Sequence, residues 1–154
     1  MKIVLIYIIP VSICLLIGFF ASQLQSGSIE TWYPFLNKPP LTPPNYVFPV
    51  AWTILYICMG ISIGLIIDSD GYQKRYLTGL FAIQLILNFL WSVFFFYLRN
   101  PLLGLIDIIL LEIFLMYYAM QSHPRYKLSS ILFIPYILWV GFATYLNLYI
   151  YLNN

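Results

Sequence analysis

What this chain has least of is charge. Of its 154 residues only 8% are Asp, Glu, Lys or Arg, whereas 62% are hydrophobic. One small core could not hide that much apolar side chain from water, so much of it must face lipid, and a water-soluble domain is excluded. The formal net charge of +2 leaves no electrostatic footprint for nucleic acid. Cysteine is scarce as well: Cys14 and Cys58 both fall inside apolar runs, where a thiol usually serves as a small filler, and no second pair exists for a CxxC-type metal site. Neither a disulfide nor a metal is expected. The single histidine, His123, sits in a short polar loop beside Pro124 and Arg125 without a carboxylate or nucleophile, so it reads as a solvated residue and not as a base. No Gly-rich phosphate loop is present.

What the chain does contain is five long apolar runs. Charged residues fall into short clusters, and the intervals between clusters approach the roughly 20 residues that a helix needs to cross a bilayer. We place the spans at Ile3–Leu24, Pro44–Ile67, Tyr76–Leu98, Leu102–Gln121 and Leu128–Tyr151. The runs are continuous and do not alternate, which favours helices over a membrane barrel. The expected fold is an all-α membrane protein, a single domain over residues 1–154 forming a five-helix bundle. The first run is longer than a signal-peptide core, so it is expected to be retained, despite a weak cleavage-like Phe19-Phe20-Ala21. Basic residues divide unequally between the two ends. Lys2, Lys74, Arg75, Arg125 and Lys127 flank one side and only Lys38 and Arg99 the other, which places the amino terminus in the cytoplasm by the positive-inside rule.

Three connections are short, but the first, Gln25 to Thr42, is long and carries Trp32, Tyr33, Phe35, Leu36 and Leu41. Such side chains prefer to be packed, so this loop is expected to fold back as a lid over one end of the bundle. It leads into the stretch KPPLTPPNYVFP, which holds five of the ten prolines. Pro39 and Pro40 stiffen the approach, Thr42 is placed as the N-cap of the second helix, and Pro43 as its first residue. Pro49 then lies more than a turn inside, where it removes a backbone hydrogen bond and leaves the Asn45 carbonyl in want of a partner. Either a packing kink or a cavity wall would account for it.

Polar and aromatic residues recur at helical spacing. Gln84, Asn88, Trp91 and Phe95 share one face of the third span; Trp52 and Tyr56 share one on the second, and Trp139, Ala143 and Asn147 one on the fifth. Amides are costly in hydrocarbon, so these faces should point inward. Two readings stay open: the amides tie helices together, or they line a mid-membrane pocket with aromatic walls suited to a large, flat, apolar ligand. Asp107 and Glu112 on the fourth span lie about 140° apart around the helix axis, which excludes a paired acid and base on one face. Asp107, near the helix start, is expected to cap or tie helices, or to meet a ligand's polar end. Gly60 and Gly64 form a GxxxG that permits close helix approach, within one chain or between two.

The residues also carry a resemblance. Trp32-Tyr33, Leu36, Lys38-Pro39-Pro40, Pro43-Pro44, Val47-Phe48-Pro49, Ala51-Trp52-Thr53, Leu55-Tyr56, Met59-Gly60, Gln84-Leu85, Leu87-Asn88, Trp91 and Phe94-Phe95 resemble, in this order, the signature of the TspO/translocator protein family. Gly104, Asp107, Pro135-Tyr136, Trp139, Phe142-Ala143-Thr144 and Leu146-Asn147 extend it through the last two spans. The resemblance implies a pocket beneath the first loop for tetrapyrroles such as protoporphyrin IX, and for isoquinoline carboxamide or benzodiazepine-type compounds, with no further cofactor required. Carried over, Tyr33 closes the pocket and Trp52, Asn88, Trp91, Trp139 and Ala143 line it, beside Tyr56, Gln84 and Phe95 from the spacing argument. It further implies light-dependent oxidative breakdown of the porphyrin, with Trp52 and Trp139 as the reacting indoles, and a homodimer. The other function to weigh is a transporter of porphyrins or similar amphiphiles, against which stand the lack of an inverted repeat and of a set of buried carboxylates for ion coupling. Mitochondrial relatives carry a cholesterol-recognition pattern at the end of the fifth helix; here no basic residue follows Lys127, so the pattern fails and a bacterial plasma-membrane protein is expected.

Overall fold

The computed structural model describes residues 2–154, with side chains from Val4 onward. Five helices follow one another: α1 (Lys2–Thr31), α2 (Val47–Ile67), α3 (Lys74–Trp91), α4 (Pro101–Ser122) and α5 (Lys127–Asn153). All five are long and apolar enough to cross a membrane once α3 is taken with the segment that continues it to Tyr97. The chain is a multi-pass, all-α membrane protein. The large core lies between α2, α3, α4 and α5 and is built on fully buried Met59, Leu77, Leu115, Tyr118, Phe133 and Tyr136. A smaller cluster of Tyr33, Phe95, Phe96 and Ile150 sits at the lid end.

Two boundaries depart from the sequence reading. The first helix does not stop at Leu24 but runs on to Thr31. The polar residues that look like loop are held by partners far away in sequence: Gln25 Nε2 donates to Ser92 Oγ at 2.8 Å and Ser28 Oγ to the Phe96 carbonyl at 2.6 Å. The lid is therefore residues 32–46, with a 3₁₀ turn at Tyr33–Phe35. The second helix begins at Val47, three residues after the expected Pro44. Thr42 caps no helix; its hydroxyl and amide both return to the Pro39 carbonyl, at 2.7 and 3.0 Å, closing a turn. A proline disfavours helical backbone at the residue before it, so Thr42 and Pro43, each followed by proline, resist the helix. Pro49 is then the third helical residue, in the first turn, where an N–H has no intrahelical partner to lose. It interrupts nothing.

One feature of the third helix has no sequence precedent. From Ser92 to Tyr97 the backbone widens to a π-helix, with Leu98 N bonded to the Val93 carbonyl at 2.8 Å. The turn out of it passes through Arg99 at φ 52°, a left-handed conformation that is costly for a side chain larger than glycine. Its guanidinium bonds Ser28 and Thr31 hydroxyls at 3.3 and 3.0 Å, which ties the corner to α1. Asn100 then caps α4, accepting from Leu103 N at 3.1 Å. The cap assigned to Asp107 thus belongs to Asn100, and Asp107 is buried two turns further on, with Oδ2 unpartnered among the described residues.

The GxxxG ambiguity resolves within the chain. A Cβ on Gly60 would strike the Val11 backbone, and one on Gly64 would come within 2.7 Å of Tyr7 Cδ1. Both glycines let α2 lie directly against α1.

Candidate functional site

Between the large core and the lid cluster lies a cavity of about 460 Å³, within the range usual for small-molecule sites. Each helix that frames it contributes for an identifiable reason. The first turns of α2 supply Phe48, Trp52 and Tyr56, four residues apart and so on one face. The third helix supplies Asn88 and Trp91, and its π-helical extension adds Ser92, Phe95 and Phe96. Adjacent Phe95 and Phe96, both on the wall, lie within this widened segment. Rings meet at near-contact distance: Trp91 stacks on Phe95 at 5.3 Å and Phe96 stands edge-on to Trp91 at 5.6 Å. From α5 come Ala143, Leu146, Asn147 and Ile150.

The lid forms the roof. Tyr33 is buried, 7% exposed, and packs on Phe96 at 5.7 Å, while Trp32 stands edge-on to Phe95 at 5.6 Å. Burial pushes the Tyr33 hydroxyl above its usual pKa, so it stays neutral through the physiological range. Lys38 Nζ donates to the carbonyls of Tyr33, Pro34 and Leu36 at 2.7, 3.2 and 3.2 Å and lies 4.8 Å from the Tyr33 ring centre, which pins the turn.

The two readings of the polar residues prove to be compatible. Asn88 lies on the wall, yet both ends of its amide are engaged: Oδ1 accepts from Tyr56 OH at 2.6 Å and Nδ2 donates to Tyr136 OH at 2.7 Å, joining α2, α3 and α5. Asn147 accepts from Trp91 Nε1 at 3.1 Å and donates to the Pro101 carbonyl at 2.8 Å. These amides hold the walls in place. The polar groups nearer the lid, Ser22, Gln25 and Asn45, belong to the wall as well.

Of the residues singled out from sequence, the cavity brings together Tyr33, Trp52, Tyr56, Asn88, Trp91, Phe95 and Ala143. Gln84 and Trp139 are not on its wall. Gln84 is fully buried deeper in the core, its Nε2 3.9 Å from Met59 Sδ. Trp139 packs against a wall residue, its ring 5.9 Å from that of Phe48. Asp107 and Glu112 are also off the wall; Glu112 faces Gly141 across the α4–α5 contact. Sequence reasoning missed the contribution of α1, namely Leu15, Gly18, Phe19, Ser22, Gln25 and Ile29. A helix that is apolar all round offers no periodic face to read.

Fold and site together define a five-helix membrane protein with an aromatic-walled cavity under a folded connection. The TspO/MBR family model matches residues 10–152, nearly the whole chain. The chain is 42% identical over 140 residues to the "Tryptophan-rich protein TspO" of Archaeoglobus fulgidus, covering 91% of each. It is 33% identical to the "Translocator protein" of Bos taurus, over 89% of this chain and 83% of the other. The "Tryptophan-rich sensory protein" of Cereibacter sphaeroides is 31% identical, over 77% of this chain and 73% of the other. The chain belongs to the TspO/MBR family.

Proposed function

We propose that this protein is a membrane receptor or sensor whose cavity takes a flat, largely apolar ligand, a tetrapyrrole of the protoporphyrin IX type or an isoquinoline carboxamide or benzodiazepine-type compound. The observation that carries this reading is the wall itself: Trp52, Trp91, Phe95 and Phe96 present ring faces and edges to one space of about 460 Å³. The polar side chains Gln25 and Asn45 would meet a ligand's hydrophilic edge, such as porphyrin propionates, near the lid. The relatives named as sensory and translocator proteins support a receptor role. We place the amino terminus in the cytoplasm from the loop charges, and the protein in a bacterial plasma membrane from the failed cholesterol-recognition pattern. A homodimer belongs to the same reading, but it must use a face other than Gly60 and Gly64, which are occupied by α1.

The reading extends to light-dependent breakdown of bound porphyrin. Light excites the ring, energy transfer to dioxygen gives singlet oxygen, and this takes an electron from an adjacent indole to give superoxide. The indole radical regains its electron from the porphyrin, whose oxidised ring then adds the reduced oxygen and opens, so that dioxygen is the oxidant consumed. We assign this role to Trp52, on the wall, and to Trp139, whose ring is 5.9 Å from the wall residue Phe48. The test is an absorbance titration of purified protein with protoporphyrin IX in darkness, followed by decay under illumination in air. Trp52→Phe with Trp139→Phe is expected to keep binding and slow the decay; unchanged decay in the double variant rejects the indole role, and no saturable binding by the wild type rejects the site.

A further inference from the structure

Several residues of α1 and α2 that line the cavity are also exposed on the outer surface of the bundle. Starting from the contact of Gly60 with Val11, α1 and α2 run antiparallel, so residues equally far along each stand at the same height. Ser22 on α1 and Pro49 on α2 are each eleven residues beyond that contact, about 16 Å at 1.5 Å per residue. Phe19 and Trp52 are each eight residues beyond it, about 12 Å. All four line the cavity, but Phe19, Ser22 and Pro49 are also exposed on the outside of the bundle, Phe19 to 56%. Thr53, level with Gly18, is likewise both lining and exposed. The helices touch without a gap at Gly60 and Gly64, are held one step apart by the Tyr56 ring against Gly18, and above it leave a slot. Ser22 lies about 30 Å along the helix from Lys2, and the hydrocarbon layer is itself about 30 Å thick, so the slot from Leu15 to Ser22 faces the acyl chains of the lid-side leaflet.

The roof, by contrast, is braced within itself and tied to α5, although its lining residue Asn45 is exposed. Besides the Lys38 bonds, Asn154 accepts from Asn37 N at 2.8 Å and donates to the Asn37 carbonyl at 3.2 Å, clamping the lid to the end of α5. Pro39 is buried beneath it.

We infer that ligands reach the cavity sideways out of the bilayer, through the slot between α1 and α2 bounded by Phe19, Ser22, Pro49 and Thr53, and not through the lid from water. This rests on the cavity being the ligand site, and it adds a selection rule: the preferred ligands are those that first partition into the lid-side leaflet. The protein in liposomes is mixed rapidly with protoporphyrin IX, and association and dissociation rates are followed by the fluorescence change on binding. Ser22→Trp and, on the opposite helix, Thr53→Trp narrow the slot from positions already facing lipid. Each is expected to slow association about tenfold, within the range open to variants of one site, and to slow dissociation in proportion, so that the affinity changes much less than either rate. Asn154→Ala, which releases the lid clamp, is expected to leave both rates unchanged. Acceleration of both rates by Asn154→Ala, or unaltered rates in both tryptophan variants, overturns the lateral route while leaving the site intact. A wild-type protein with no saturable binding overturns the site and the route together.

Discussion

The same two helices behave differently at their two ends. Away from the lid, α1 and α2 are in backbone contact through Gly60 and Gly64, and a buried knot of Ser62, Ser129 and Tyr118, with Ser62 Oγ 2.6 Å from Ser129 Oγ, binds α2 to α4 and α5. Toward the lid, glycine gives way to Tyr56, Trp52 and Phe48 on the facing surface, and the helices stand apart around a cavity. Nothing in lipid drives apolar helices together as water would, so close approach depends on small residues and internal hydrogen bonds. Where those are supplied the bundle closes, and where bulky rings replace them it stays open.

That contrast can be broken most severely at its tight end. Gly60→Leu would drive a side chain into the Val11 backbone, which cannot rotate away, and is expected to destabilise the bundle by about 3 kcal/mol or more. Thermal unfolding of the detergent-solubilised variant checks it, and a wild-type melting temperature would show that the α1–α2 contact is looser than described. An intermediate effect is expected at the boundary between the halves. Asn88→Leu orphans the hydroxyls of Tyr56 and Tyr136 and should cost about 1–3 kcal/mol. Replacing both tyrosines by phenylalanine in the Asn88→Leu background should recover part of it, and a triple variant no more stable than the single one would refute the proposed knot. The smallest effect belongs to the open end. Pro49→Ala, in the first turn of α2, is expected to change stability by no more than about 0.5 kcal/mol, because no intrahelical bond is restored; a clear stabilisation would show that Pro49 strains the helix after all.

How much of this could be read from the chain depends on where each signal resides. The five spans are legible because a bilayer imposes one length and one polarity on every helix, and four of the five, with α3 counted through its extension to Tyr97, were placed within three residues of their observed ends. The wall residues Trp52, Tyr56, Asn88, Trp91 and Phe95 are legible because a polar or aromatic face at helical spacing has to turn inward. Gln84 shares that face, yet lies one turn too deep to reach the cavity, and spacing along one helix carries no depth. The extension of α1 to Thr31 depends on Gln25 and Ser28 finding Ser92 and Phe96 nearly seventy residues away, which local pattern cannot reveal.

By itself, then, the sequence determined the solvent, the number of helices, the family and the inward-facing aromatic residues, all of which follow from composition, spacing and ordered motifs along the chain. Tertiary structure alone decided that Gly60 and Gly64 serve α1 and not a second copy, that Pro49 begins a helix without interrupting one, that Phe48 and not Trp139 is on the cavity wall, and that Ser92–Tyr97 unwinds to a π-helix. Each of these is a matter of which surfaces meet and at what height, and such relations exist only once the helices are packed.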